Sequence, residues 1–181
     1  MKIKFEPDFT GVDIEKITKD YLKRVVKVTQ NELMQIGLQF VKEARSKIPT
    51  EVYHSIAGDA RMAASLTGGS INLTSADGFN DDTGNLRSSI GFIILYDGEI
   101  VHTDFQQSPQ GTDKATGVTT GTDYAEKLGL DHLNGWAIIT VAGMEYAGYV
   151  EALGYDVITG STLGAQKKLE KAFQNVINAF S

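Results

Sequence analysis

Between Val12 and Ile48 the chain carries no proline, and Ile14, Ile17, Tyr21, Val25, Val28, Leu33, Ile36, Phe40, Ala44 and Ile48 recur at steps of three, four and five. Side chains at such steps lie on one face of a helix, so the spacing predicts a single long amphipathic helix over 12–48. Pro49 ends it, because its ring disfavours helical backbone at the preceding residue. At 1.5 Å per residue such a helix extends roughly 50 Å. It must therefore lie along other elements of the fold, or break near Thr29 to Asn31, where the one irregular step of the stripe falls.

The rest of the chain is built from shorter pieces. Residues 51–80 are rich in Ala, Ser, Gly and Thr without a sustained period, and read as irregular. Ser89 to Leu95 is apolar on both alternating faces, Ile90, Phe92 and Ile94 against Ile93 and Leu95, and Asp97-Gly98 is a tight-turn signal, so a hairpin is predicted over 89–103. Residues 104–122 are Thr, Gly, Gln and Asp with little to bury and read as a polar loop, followed by a short helical turn from Asp123 to Leu128. A second apolar strand is expected over 136–142, a short helix over 145–153 closed by Gly154, and an extended segment over 155–159. Leu169, Phe173, Val176, Ile177 and Phe180 fall at helical spacing and predict a C-terminal helix over 162–180. The expected fold is one α+β domain. It has a long N-terminal helix, a small antiparallel β-meander with a long loop insertion, a short helix and a C-terminal helix packed on the sheet, with the two terminal helices covering one sheet face.

Several chemistries are set aside by residue type. The chain has no cysteine, which excludes disulfide staples, thiolate metal sites and a cysteine nucleophile. His54, His102 and His132 stand in no metal-ligand spacing, and Asp81-Asp82 lacks the further oxygen ligands a calcium loop requires. Gly68-Gly69 lacks the lysine and helix start that a phosphate loop needs. Asp82 with Glu151 could be named as a glycosidase-type carboxylate pair, but with 23 acids in the chain such a pairing carries no weight alone. No catalytic residue, metal ligand or cofactor-binding residue is nominated. The N-terminal residues lack the apolar core of a signal peptide, and no apolar run reaches membrane-spanning length, so neither a cleaved signal nor a membrane span is expected. Charge is uneven: residues 1–50 carry +3, 51–135 carry −8 and 136–181 carry −1. An acidic middle opposes a surface that grips nucleic acid, yet suits a wall past which DNA slides.

Two blocks remain. In the first, Asp82-Thr83-Gly84-Asn85-Leu86-Arg87-Ser88-Ser89-Ile90, Thr83-Gly84 supplies a tight turn, Asp82 is placed to accept from nearby amides, and Leu86 and Ile90 anchor the entry to the strand. In the second, Glu145 to Gly154, Tyr146, Tyr149, Val150 and Leu153 form an apolar face with hydroxyl tips. Arg87 and Glu151 stand beside apolar anchors and need partners wherever they are buried.

The pattern Asp82, Thr83, Gly84, Leu86, Arg87, Ser89, Ile90, then Tyr146, Ala147, Tyr149, Val150, Glu151 and Gly154, after a long N-terminal helix, resembles minor head-tail joining or tail-completion proteins. These neck proteins are encoded by lambdoid and related long-tailed bacteriophages and by prophages. The resemblance implies a non-enzymatic virion subunit, made in the cytoplasm of the bacterial host and assembled with copies of itself into a ring. It further implies contacts with other neck, connector or tail proteins, DNA passing nearby without specific binding, no membrane and no cofactor. In that setting the 104–122 segment would reach a neighbouring subunit and order only there, with the acidic middle facing the DNA channel. Two other readings stand beside it: a phage-associated cell-wall hydrolase, and a small-ligand or carbohydrate-binding module built on Trp136 and the tyrosines.

Overall fold

A computed structural model of the chain describes residues 11–48, 81, 83–152 and 156–181. The stretch expected to be irregular over 51–80, and with it Asp82, Leu153, Gly154 and Tyr155, lies outside the described residues. The elements run α1 (Gly11–Lys47), α2 (Asn85–Ser88), β1 (Ile90–Tyr96), β2 (Glu99–Phe105), α3 (Lys114–Gly129), β3 (Trp136–Ala142), α4 (Ala147–Ala152), α5 (Thr159–Thr162) and α6 (Ala165–Ala179).

The sheet is three antiparallel strands in the order β2-β1-β3, so β1 is central. Asp97 and Gly98 both have positive φ, 50° and 85°, the geometry of the two-residue hairpin turn that their sequence announces. Ile90, Phe92 and Ile94 enter one buried cluster and Ile93 and Leu95 another, so both faces of β1 are covered. Each of these side chains, fully buried, contributes about 1.5–3 kcal/mol relative to exposure. At the turn end Tyr96 and Trp136, register partners on β1 and β3, pack with ring centroids 4.6 Å apart.

Unbroken through Thr29, α1 supplies the cover of the first face. Leu33, Phe40, Val41, Ala44 and Ile48 are buried against Phe92 and its neighbours. A Cβ at Gly37 would stand 2.4 Å from the Phe92 ring, so the helix touches the sheet where it has no side chain. The Arg45 guanidinium donates to the Ile90 carbonyl at 2.9 Å, and the Gln30 amide donates to the Val101 carbonyl at 2.9 Å. The C-terminal half of α1 thus lies over the start of β1, and Gln30 lies near its end. Val101 is the extra residue of a β-bulge, where the register shifts between Ile94 and Leu95.

Antiparallel to α1 runs α6, tied through Lys168 to Glu43 (3.1 Å), Asn175 to Glu32 (2.9 Å) and an edge-on Tyr21–Phe180 ring contact (5.3 Å). It joins this face of the sheet through Leu169, which packs on the same core cluster and borders a small cavity with Ile138. The bounds expected for the two short C-terminal pieces shift: the helix starts after Gly164 rather than at 162, and Asp156 to Ile158 form no strand before α5.

The expected 104–122 loop is a correction. Residues 104 and 105 complete β2, and a 16-residue helix, α3, begins at Lys114 and covers the second sheet face. Asp113 caps it, its carboxylate accepting from the Thr116 amide and hydroxyl, whereas Asp123, expected to start a short turn, sits mid-helix. The physical reason is the residue type on the inner face: Gly117, Gly121, Ala125 and Gly129, four apart, are all buried. A stripe without side chains gives no hydrophobic period, although it lets the helix backbone rest directly on its neighbours. A Cβ at Gly117 would meet the Asn85 carbonyl at 2.3 Å, and one at Gly121 the Ser89 carbonyl at 2.5 Å.

Candidate functional site: the brace between two sequence blocks

The first block folds into a turn and the single helical turn α2. Gly84 takes φ 75°, which only glycine adopts without strain, and its amide bonds the Asp81 carbonyl at 3.0 Å. The start of α2 is held by the Asp81 carboxylate, which accepts from the amides of Leu86 (3.1 Å) and Arg87 (2.9 Å). Asp81 thus accepts from the start of α2, while Asp82, the acid that the sequence singles out, lies outside the described residues. Leu86 and Ile90 are fully buried, as expected of anchors.

The polar side chains of α2 point inward and each holds backbone. Arg87, only 7% exposed, donates through Nη2 to the Ile48 carbonyl at 2.6 Å, placing its charge where the last carbonyls of α1 lack helical partners. Ser88 donates to the Gly84 carbonyl and accepts from the Ser108 amide at 2.9 Å. Asn85 accepts from the Gly117 amide at 2.8 Å, locking α2 to the glycine stripe of α3. Neither Asn85 nor Gly117 stands out in the sequence as a functional residue, and the Asp113-x-x-Thr116 cap is the one local signal that could have located the start of α3.

Fifty-five residues on, the second block docks on the first. The Ser89 hydroxyl accepts from the Met144 amide at 3.3 Å, and the Ser89 carbonyl accepts from the Gly143 amide at 3.2 Å. Tyr146 hydrogen-bonds with the Thr83 side chain and the Leu86 backbone. Its hydroxyl is pushed up to about 12, first by burial and then by the Asp81 carboxylate, with the hydrogen bonds opposing. Ala147 and Val150 are buried, Val150 within the α1-side core, and Tyr149 is half-buried.

Glu151 faces the other way along the chain. Its carboxylate accepts from the amides of Ile158 (3.0 Å) and Thr159 (2.7 Å), capping α5. Burial pushes this carboxyl up, but the Ile158 and Thr159 amides and the Thr159 hydroxyl outweigh it and hold it below the ordinary carboxylate range. The α5 turn is then pinned to α1 by Lys47, which reaches Asp156 at 2.7 Å and the Ser161 hydroxyl at 2.9 Å. Asp156 is lowered by Lys47 and by the Gly160 amide.

The described residues of the two blocks thus converge into one brace that ties together α1, α2, α3, β1 and α4. An open groove of 720 Å³ between α3, β3 and α4 runs past Tyr124, Thr140, Glu145 and Glu151. Among the described residues no group of three or more His, Asp or Glu could hold a metal ion, and no helix is long and apolar enough to cross a membrane. No family model, curated protein or solved structure matches the chain.

Proposed function

We propose that this protein is a structural subunit of the head–tail junction of a tailed bacteriophage or prophage. It assembles with copies of itself into a ring that meets other neck, connector or tail proteins while DNA passes through the centre, and it resides in the virion after synthesis in the host cytoplasm. The observation that carries the reading is the brace: the residues of the motif resembling that family spend their hydrogen-bonding groups on backbone of other elements. Arg87 holds the end of α1, Ser89 the approach to α4 and Glu151 the start of α5, while Asp81, just ahead of the motif, holds α2.

The chemistry of Glu151 supports a bracing role over that of a hydrolase. A general acid working near neutral pH needs a raised pKa, whereas Glu151 is held low by amides that a transferred proton would displace. The chain's net charge of −6 fits a passage that DNA traverses without sticking. Deleting the gene from an inducible prophage tests the proposal. Filled heads and tails that accumulate unjoined, with the protein present in wild-type particles by mass spectrometry, are the expected result. Normal infectious particles after deletion, or cell-wall degradation by the purified protein that Glu151→Gln abolishes, would overturn it.

A further inference from the structure

Two exposed apolar patches of opposite charge lie at one end of the molecule, on opposite faces of the sheet. The first is the projecting end of α1. Gln30 lies level with Val101, only a few residues from the hairpin turn, so the preceding residues of α1 extend past the sheet by roughly 20 Å at helical and strand rises. The last turn of α6 reaches α1 at Tyr21. Ile14 (51% exposed), Ile17 (66%) and Leu22 (55%) stand on this projection. Lys16, Lys19, Lys23, Arg24 and Lys27 are exposed around them, against Glu15 and Asp20, leaving +3 over residues 14–28.

The second patch is a ledge at the C-terminal end of α3. Gly129 rests on the Leu95 and Ile93 side chains, and the Leu133 backbone lies beside Gly98 of the hairpin turn, which places the ledge at the same end of β1. Leu130 (73% exposed) and Leu133 (67%) project from it next to Tyr124 and Leu128. Asp97, Glu99, Asp123, Glu126 and Asp131 are exposed around this ledge, against Lys127, leaving −4.

We propose that the projecting end of α1 in one copy docks on the Leu130–Leu133 ledge of the next copy, head to tail. Apolar patches of this kind on a soluble protein mark contact sites, and the charges choose the partner face. Pairing like with like would set lysines against lysines or acids against acids; pairing the two different patches sets +3 against −4 and covers both apolar surfaces. Because the patches stand on opposite faces of the sheet, each copy can hold one neighbour on either side, and such a head-to-tail contact gives a ring when the rotation it imposes closes. The contact deepens the ring reading by naming its two faces, and assigns the acids of the hairpin end to a neighbouring copy instead of to the DNA channel. It does not depend on where the ring is used.

Sedimentation of the purified full chain tests the contact. Wild type is expected to form species larger than a dimer. Ile17→Glu with Lys23→Glu disables the helix face, and Leu130→Lys with Glu126→Lys disables the ledge; all four side chains are exposed, and unchanged thermal melts check the fold. Each variant alone should run as a monomer. Mixed, they should form a one-to-one dimer and stop, because one good helix face and one good ledge remain. A chain carrying Lys23→Glu together with Glu126→Lys should regain association through the reversed pair. A wild type that stays monomeric at high concentration, a face variant that assembles normally, or a mixture that stays monomeric would each overturn the contact. Association through these faces in a protein that deletion shows to be dispensable for virions would leave the contact standing and remove only its proposed setting.

Discussion

Replacing Gly117 with alanine sets two effects of opposite sign against each other. In an isolated helix the substitution stabilises by about 1 kcal/mol, since glycine gives up more backbone freedom than alanine. In this protein the new methyl group would stand 2.3 Å from the Asn85 carbonyl oxygen and 2.8 Å from its Cα, both backbone atoms that no rotamer change can move aside. Relieving that overlap means shifting α3 by about 1 Å from α2 and β1, which stretches the Gly117–Asn85 hydrogen bond and loosens the Ile93–Leu95 side of the core. Overpacking of this kind costs about 1–3 kcal/mol, and a backbone-to-backbone overlap belongs at the upper end, leaving a net loss of about 2 kcal/mol. For a chain of this length that lowers Tm by about 4–8 °C. The same reasoning ranks other glycines: Gly121→Ala, 2.5 Å from the Ser89 carbonyl, should cost nearly as much. Gly129→Ala, 3.2 Å from a leucine methyl, should cost little, and Gly148→Ala, with nothing within 4 Å, should be neutral or slightly stabilising. Urea denaturation followed by circular dichroism gives the four values. If Gly117→Ala and Gly121→Ala prove as stable as wild type, the close seating of α3 is wrong.

The bracing groups give further expectations. Glu151→Gln should cost about 1 kcal/mol near neutral pH by weakening the α5 cap. Because the folded Glu151 carboxyl is lowered from 4.5, its contribution is present above that value and lost as pH falls through the folded pKa. The stability gap between variant and wild type should therefore close in acid, and a gap unchanged at about pH 3 would contradict the cap. Tyr146, raised from 10.0 to about 12, keeps a neutral hydroxyl whose stabilisation is complete below the unfolded value and lost as pH rises through the folded one. A near-ultraviolet absorbance titration should show a late-ionising tyrosine that vanishes in Tyr146→Phe; identical profiles would remove Tyr146 from the brace. Asn85→Ala removes the side-chain acceptor that ties the Gly117 amide to α2 and should destabilise by about 1 kcal/mol in a thermal melt. A change within a few tenths would show that water takes over that bond.

Large side chains at a regular period are what made much of this fold legible. The α1 stripe, the two-faced run of β1, the Asp97-Gly98 turn and the 136–142 strand each carry their signal in bulk and spacing, and the observed bounds of α1 and β3 differ from the expected ones by at most a residue. On α3 the same logic misled, because its buried face is glycine and alanine and its first two turns are rich in threonine, so composition there resembled a loop while backbone contact made a helix. The role of Asp81 was not legible for a different reason: whether its carboxylate reaches the α2 amides depends on the turn at Gly84, a three-dimensional property. Both sequence blocks were visible as anchors and turns. That Tyr146 closes on Thr83 and Leu86 could not be read from spacing, since intervening strands and a whole helix set the meeting point.

That meeting point also bears on the order in which the protein acquires its structure. The Ser89–Met144 bond joins residues 55 apart, so closing it before the hairpin and α3 have shortened the path would carry the full entropy of a long loop. Contacts this remote in sequence are expected to lock late, after the rate-limiting barrier. Lesions in the brace should then leave the refolding rate nearly untouched while hastening spontaneous opening, making the brace a clasp that sets how long a finished molecule lasts.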